Sequence, residues 1–157
     1  MNCFVFRSGD ILQSNAKALV NPVNCVGIMG AGLAKQFLKR FPYMEPQYRK
    51  ACRDKTLVPG SVQVINKPDP FSNKYIVINF PTKNGWWENS NAKDITKSLV
   101  ALAKEMETQN IPSVAIPKLG CGLGQLDWKI LCPIIYTTLN KHLKNKRIII
   151  YGDKVLD

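Results

Sequence analysis

Short runs rich in β-branched and aromatic residues alternate with amphipathic helical patterns along almost the whole chain. Val, Ile, Phe and Tyr dominate several of these runs, as buried strands require. Strands alternating with helices predict an α/β fold, in which a mixed, mostly parallel sheet is covered on both faces. The predicted strands are Cys3–Phe6, Ala18–Val20, Ser61–Ile65, Lys74–Phe80, Ser113–Pro117 and Arg147–Tyr151.

Three sets of apolar residues recur with the 3.6-residue period of an amphipathic helix. A shorter helix is predicted over Pro46–Arg53, and Asp127 is the predicted N-cap of the third long helix. The three sets are Leu33, Phe37, Leu38 and Phe41; Ile95, Leu99, Leu102 and Met106; and Trp128, Leu131, Ile135, Leu139 and Leu143.

Length, cysteines and charge limit the classes of function. The 157 residues fit a single domain over 1–157. Five cysteines without a Cys-x-x-Cys pair, and a single histidine, His142, favour reduced thiols in a cytoplasmic protein over a disulfide framework or a zinc site. No apolar run is long enough to predict a membrane span, and no secretory signal is predicted. The net charge of +11 fits either a polyanionic partner or solubility alone.

Two glycine-rich loops, each between a predicted strand and a predicted helix, are the main candidate binding segments. The first contains Asn21 and Asn24, followed by Gly27, Gly30 and Gly32; the second is Gly120–Gly124. The first loop has the spacing neither of a P-loop nor of a dinucleotide-binding fingerprint. Glycine permits close backbone approach, and two such loops beyond the carboxyl ends of the strands predict the two walls of a diphosphate site.

Two further segments lie at predicted strand ends. The carboxylate of Asp10 could accept hydrogen bonds from an adenine amino group, although aspartate is also common in ordinary turns. Lys83 follows an apolar strand, where partial desolvation would lower its pKa and free its amine as a nucleophile. A solvated loop lysine is the alternative. Trp86 and Trp87 could pack on the core or stack on a base.

These segments, in this order, resemble those of macrodomains over nearly the whole chain. Gly9-Asp10-Ile11 resembles the family's adenine-reading segment, Asn21–Asn24 with Gly30–Gly32 its first ribose and phosphate loop, and Gly120–Gly124 its second phosphate loop. The resemblance implies a three-layer α-β-α fold that binds ADP-ribose and needs no cofactor or metal. The implied binding residues are Asp10, Ile11, Gly30, Ala31, Gly32, Leu33, Thr82, Gly120, Cys121, Gly122, Leu123 and Gly124.

Asn24–Gly30, Asn79–Lys83 and Gly120–Trp128 resemble the subgroup that contains the DarG antitoxins and the terminal ADP-ribose protein glycohydrolases. DarG macrodomains remove ADP-ribose from thymidine in DNA. The resemblance implies a glycohydrolase in which Lys83 is catalytic, and we expect Asn21 and Asn24 to orient the distal ribose. The protein glycohydrolases carry an aspartate where this chain has Gly124, which favours DNA as the substrate.

The resemblance also implies an ADP-ribosyltransferase toxin as partner, and we expect a monomer. Three alternatives stay open: release of ADP-ribose from protein glutamate, dephosphorylation of ADP-ribose 1″-phosphate, and non-catalytic reading of ADP-ribosylated polymers. Lys83 separates an enzyme from a reader, because a reader has no need of a nucleophilic amine.

Overall fold

The computed structural model describes residues 1–66 and 75–156. In this part of the chain, the strands are β1 (Cys3–Arg7), β2 (Ala18–Val23), β3 (Gln63–Ile65), β4 (Ile76–Pro81), β5 (Ser113–Ile116) and β6 (Arg147–Tyr151). The α-helices are α1 (Gly32–Arg40), α2 (Glu45–Arg53), α3 (Ala92–Thr108) and α4 (Trp128–His142).

The strands form one sheet with the order β1-β6-β5-β2-β4-β3. Every neighbouring pair is parallel except β3 and β4, which are antiparallel. The prediction of a mixed, mostly parallel sheet is therefore confirmed. Since β2 and β5 are adjacent at the centre of the sheet, the loops that follow them leave the same edge side by side.

Each face of the sheet supports its own hydrophobic core. Successive residues of a strand point to opposite faces, so Ile148 and Ile150 pack with α3 and α4, whereas Ile149 packs with α1 and α2. These three side chains are fully buried. The two cores produce the expected three-layer α-β-α arrangement.

Most predicted elements are present with shifted ends. The four predicted helices are found, and the Asp127 carboxylate caps α4 by accepting a hydrogen bond from the Lys129 N–H at 3.0 Å. The strand predicted over Ser61–Ile65 begins only at Gln63, because the Ser61 hydroxyl closes a turn with Val58. Lys74, the predicted start of β4, lies outside the described residues.

The largest boundary error concerns β2, which continues through Asn21 and Pro22 to Val23 rather than ending at Val20. Asparagine and proline are disfavoured in strands, which is why the sequence predicts a loop here. The register of β2 with β5 ends at Leu19, so Pro22 pairs only with β4, where its missing N–H is tolerated. The separation of β2 from β5 opens the cleft described next.

Candidate functional site

A cavity of about 1460 Å³ extends along the carboxyl-terminal edge of the sheet. Its wall contains residues at or just beyond the carboxyl ends of β1, β6, β5, β2 and β4, which is the order of these strands in the sheet. Neighbouring strands are about 4.8 Å apart, so four steps separate the end near Asp10 from the end near Lys83 by roughly 19 Å. The cavity therefore suits an elongated ligand that crosses the strand ends.

Asn24 shapes the first glycine loop. Its side-chain oxygen accepts hydrogen bonds from the Val26 N–H at 3.1 Å and from the Tyr48 hydroxyl at 2.9 Å. Its Nδ2 donates to the carbonyl of Ile28 at 2.7 Å. An amide nitrogen carries two N–H groups, so Asn24 can hold the loop and still offer one donor to a ligand.

The N-terminus of α1 is open toward the cavity. Among the described residues, no side chain caps it and its first turn contains no acidic residue, and Gly32 and Leu33 line the cavity. By contrast, Asp127 caps α4. The unpaired N–H groups and partial positive charge of an uncapped helix N-terminus attract anions. A phosphate in this cavity is therefore expected to bind at the N-terminus of α1 rather than at that of α4.

The second glycine loop provides a row of backbone donors. In the described part of the chain, the N–H groups of Gly122, Leu123 and Gly124 have no acceptor within the protein. All three residues line the cavity, as does Cys121. Burial raises the pKa of the Cys121 thiol to about 11, so this side chain is a neutral thiol near pH 7 and not a thiolate nucleophile.

Glycine is sterically required at two positions of this loop. Gly120 has a φ of +73°, and a Cβ there would lie 2.8 Å from the Ser90 Cβ. A Cβ on Gly124 would lie 2.1 Å from the Ser90 hydroxyl and 2.6 Å from the Gly120 carbonyl. Ser90 also donates its backbone N–H to the Gly124 carbonyl at 3.0 Å. The loop therefore packs directly on Ser90.

Lys83 is held next to the first loop by two backbone hydrogen bonds, one on each side of it in the sequence. Thr82 donates to the Val23 carbonyl at 3.0 Å, and the Asn84 carbonyl accepts from Cys25 at 2.8 Å. The Lys83 side chain is half-buried and lines the cavity. Among the described residues, its ammonium group has no hydrogen-bonded or ionic partner, so it is available to a ligand.

The cavity brings together most of the predicted site residues but not Asn21 and Trp87. The Asn21 side chain is fully buried beneath the cavity, where its Nδ2 donates to the side-chain Oδ1 of Asn79 at 3.0 Å. The prediction that Asn21 contacts the ribose is not supported by this position, because β2 extends past it. The predicted residues that line the cavity are Asp10, Ile11, Asn24, Gly30, Ala31, Gly32, Leu33, Thr82, Lys83, Trp86, Gly120, Cys121, Gly122, Leu123 and Gly124.

The sequence reasoning missed a wall near Asp10 that contains Lys118, Trp128 and Tyr151. The Trp128 ring is fixed by its Nε1–H, which donates to the Asp153 carbonyl at 2.8 Å, and the Lys118 ammonium lies 5.7 Å from the ring centroid. Helical periodicity assigned Trp128 to the core, which concealed its position at the cleft. The position of Tyr151 at the end of β6 is a signal that could have revealed it.

Residues 1–66 and 75–156 contain no helix long and apolar enough to cross a membrane. They also contain no cluster of three or more His, Cys, Asp or Glu side chains placed to hold a metal ion.

Comparison with known proteins identifies the class to which this fold and cleft belong. Residues 20–135 match the Macro domain family. The chain therefore belongs to this family.

Two curated relatives share a substantial part of the sequence. A DNA ADP-ribosyl glycohydrolase from Mycobacterium tuberculosis is 44% identical over 124 residues, which are 79% of this chain and 35% of that protein. A DNA ADP-ribosyl transferase-DNA ADP-ribosyl glycohydrolase fusion protein from Thermosipho africanus is 33% identical over 147 residues, 85% of this chain and 38% of that protein. The chain thus spans little more than a third of either relative.

Two solved structures have the same fold. The macrodomain of Mycobacterium tuberculosis DarG superposes with a TM-score of 0.89 at 34% identity, covering 98% of this chain and 100% of that one. Thermosipho africanus DarTG in complex with ADP-ribose superposes with a TM-score of 0.87 at 30% identity, covering 96% of this chain and 42% of that one.

Proposed function

We propose that this macrodomain is an ADP-ribosyl glycohydrolase that removes ADP-ribose from modified DNA, with thymidine as the modified nucleoside. The observation that carries the proposal is the placement of Asp10 and Lys83 at opposite ends of one cavity, with free backbone donors between them. The names of the relatives from Mycobacterium tuberculosis and Thermosipho africanus support the same activity.

The proposed ligand lies across the strand ends with its adenine near Asp10. The diphosphate then meets the uncapped N-terminus of α1 on one side and the N–H groups of Gly122–Gly124 on the other. The distal ribose reaches Asn24, which has one N–H to spare, and its anomeric carbon faces Lys83. Asn21 acts indirectly in this arrangement, because its side chain links β2 to β4 beneath the cavity.

Lys83 supplies the proposed nucleophile, and the reaction balances without a cofactor. The unprotonated amine attacks the anomeric carbon, the bond from that carbon to the base breaks, and the amine gives one proton to the departing base. The bond from the anomeric carbon to the ring oxygen then breaks, the remaining amine proton moves to that oxygen, and water adds to the resulting imine at the same carbon. Loss of the amine then releases ADP-ribose and restores Lys83. The net reaction consumes one water.

The space around Gly124 supports DNA over protein as the substrate. The protein glycohydrolases that the second glycine loop resembles in sequence carry an aspartate where this chain has Gly124. Here the Cβ of any such side chain would lie 2.1 Å from the Ser90 hydroxyl. The proposed reaction therefore uses no acid from the second loop. We further propose that it reverses the action of an ADP-ribosyltransferase, as the name of the fusion protein suggests.

Free ADP-ribose is expected to bind and to raise the melting temperature, because it binds only the folded state. Asp10→Asn should weaken this binding by about 1–3 kcal/mol, since the adenine amino group loses a charged acceptor. Asparagine keeps a side-chain oxygen for the Leu12 N–H, which Asp10 accepts at 2.9 Å. Titration calorimetry on both proteins measures the difference. Absence of heat and of a thermal shift at millimolar ADP-ribose contradicts the proposed function.

An ADP-ribosylated oligonucleotide is expected to lose ADP-ribose faster than a glutamate-modified protein at equal enzyme concentration. The net charge of +11 adds an attraction to phosphate that a protein substrate lacks. Unmodified single-stranded DNA should bind weakly, and less as sodium chloride rises from ~50 to ~200 mM, because counterion release weakens. Faster release from the protein, with DNA binding insensitive to salt, would overturn the DNA assignment.

A further inference from the structure

The turn after Lys83 holds two tryptophans in different positions. Trp86 lines the cavity, whereas Trp87 lies outside the lining. Their side chains are 58% and 64% exposed, which is unusual for large aromatic residues. The ring centroids are 5.5 Å apart and the ring planes are nearly perpendicular, at 87°. One flat base therefore cannot stack on both rings.

Trp87 is fixed in place by the backbone beneath it. Its ring lies so close to Gly85 that a Cβ at that position would be 2.6 Å from the ring. Two hydrogen bonds close the turn: Gly85 donates its N–H to the Glu88 carboxylate at 3.0 Å, and Glu88 donates its N–H to the Gly85 carbonyl at 3.1 Å. A ring held on one side and open to solvent on the other is preorganised for stacking.

We infer that Trp87 binds the nucleobase next to the modified nucleotide, on a single strand that continues past the cavity. This assignment rests on the proposed function, because it requires a nucleic-acid substrate. Trp86, which lines the cavity, stacks on the base that carries ADP-ribose. The neighbouring base stacks on the exposed face of Trp87, which accepts any base because every base has an aromatic face.

The geometry selects a single strand. In a duplex, both faces of a base are covered by its stacked neighbours, so a flat protein ring has nothing to stack on. An unpaired base can leave the stack and lie on Trp87. The basic chain, at +11, provides the attraction for the intervening phosphate.

The test compares two ADP-ribosylated single-stranded oligonucleotides of equal length and charge, one with ordinary flanking bases and one with abasic flanking sugars. The protein is expected to process the first with a kcat/KM about tenfold higher, the contribution of one stacked base. Trp87→Ala should remove this preference, and Trp87→Phe should retain part of it. Gly85→Ala should also remove it, because the added Cβ displaces the ring without deleting it.

Ile130→Ala is the matched control, since Ile130 is 61% exposed and lies outside the cavity lining. It should leave the preference unchanged. Equal processing of both oligonucleotides by the unaltered protein, or a preference that survives Trp87→Ala, overturns the role of Trp87 while the glycohydrolase proposal stands. If neither oligonucleotide is processed, the proposed function fails, and the inference fails with it.

Discussion

Lys83→Ala is expected to abolish release of ADP-ribose, lowering kcat by about a thousandfold or more. The amine is the proposed nucleophile, and no second lysine flanks the same end of the cavity in the described residues. Affinity for free ADP-ribose should stay within about tenfold, because Lys83 acts on the bond that breaks rather than on the diphosphate. Single-turnover kinetics and titration calorimetry measure the two quantities separately.

The control for this experiment is Lys93→Ala, which removes the same charge from an exposed lysine outside the cavity lining. Turnover should be preserved, so a loss confined to Lys83→Ala cannot be attributed to net charge. A covalent adduct trapped by borohydride on the unaltered protein, but not on the Lys83→Ala variant, would establish the imine. If turnover survives Lys83→Ala, the lysine mechanism is wrong, and a water positioned by the diphosphate becomes the nucleophile.

Local sequence signals predicted the fold well where one physical effect dominates. The alternation of apolar residues was sufficient for the central strands, and the carboxylate of Asp127 before an amphipathic stretch predicted the start of α4. The resemblance to macrodomains added the prediction that the sheet lies between two layers of helices. Asn21 and Pro22 were assigned wrongly to a loop. Proline is tolerated in β2 because β5 has already stopped pairing with that strand at Leu19. The point at which two strands distant in sequence stop pairing is not encoded in the local sequence.

The sequence predicted the loops of the site but not the tertiary contacts that hold them in place. Asn24 stood out as a polar residue after a strand. Its hydrogen bond from Tyr48 on α2 could not be predicted, because the two residues are 24 positions apart in the sequence. Trp128 and Tyr151 form a wall only because α4 and β6 meet at one edge of the sheet. Trp86 and Trp87 are adjacent in sequence and equally suited to stacking; the tertiary structure alone separates the ring inside the cavity from the ring outside it.

Gly124→Ala is expected to lower both stability and ADP-ribose affinity. Its Cβ would lie 2.1 Å from the Ser90 hydroxyl and 2.6 Å from the Gly120 carbonyl, so the second loop must move. Overpacking of this kind costs about 1–3 kcal/mol, which for a chain of this size corresponds to a fall in melting temperature of roughly 2–12 °C. Because the displacement also misplaces the free N–H groups of the loop, the loss of about 2 kcal/mol of hydrogen bonding to the diphosphate should lower affinity by ~30-fold.

Two companion variants show whether the clash is the cause. Gly122→Ala adds the same methyl group to the same loop, where no atom of the described residues lies within 4 Å of it, so the melting temperature of the protein should not change. Ser90→Gly removes the hydroxyl and Cβ that Gly124→Ala meets; in that background the cost of Gly124→Ala should shrink without vanishing, since the Gly120 carbonyl remains. Such non-additivity is the signature of direct contact.

The same experiment tests why this site lacks the acid of the protein glycohydrolases. An aspartate begins with the same Cβ as alanine. If Gly124→Ala binds ADP-ribose normally, the loop can accommodate a side chain, and packing no longer explains the absence of the acid.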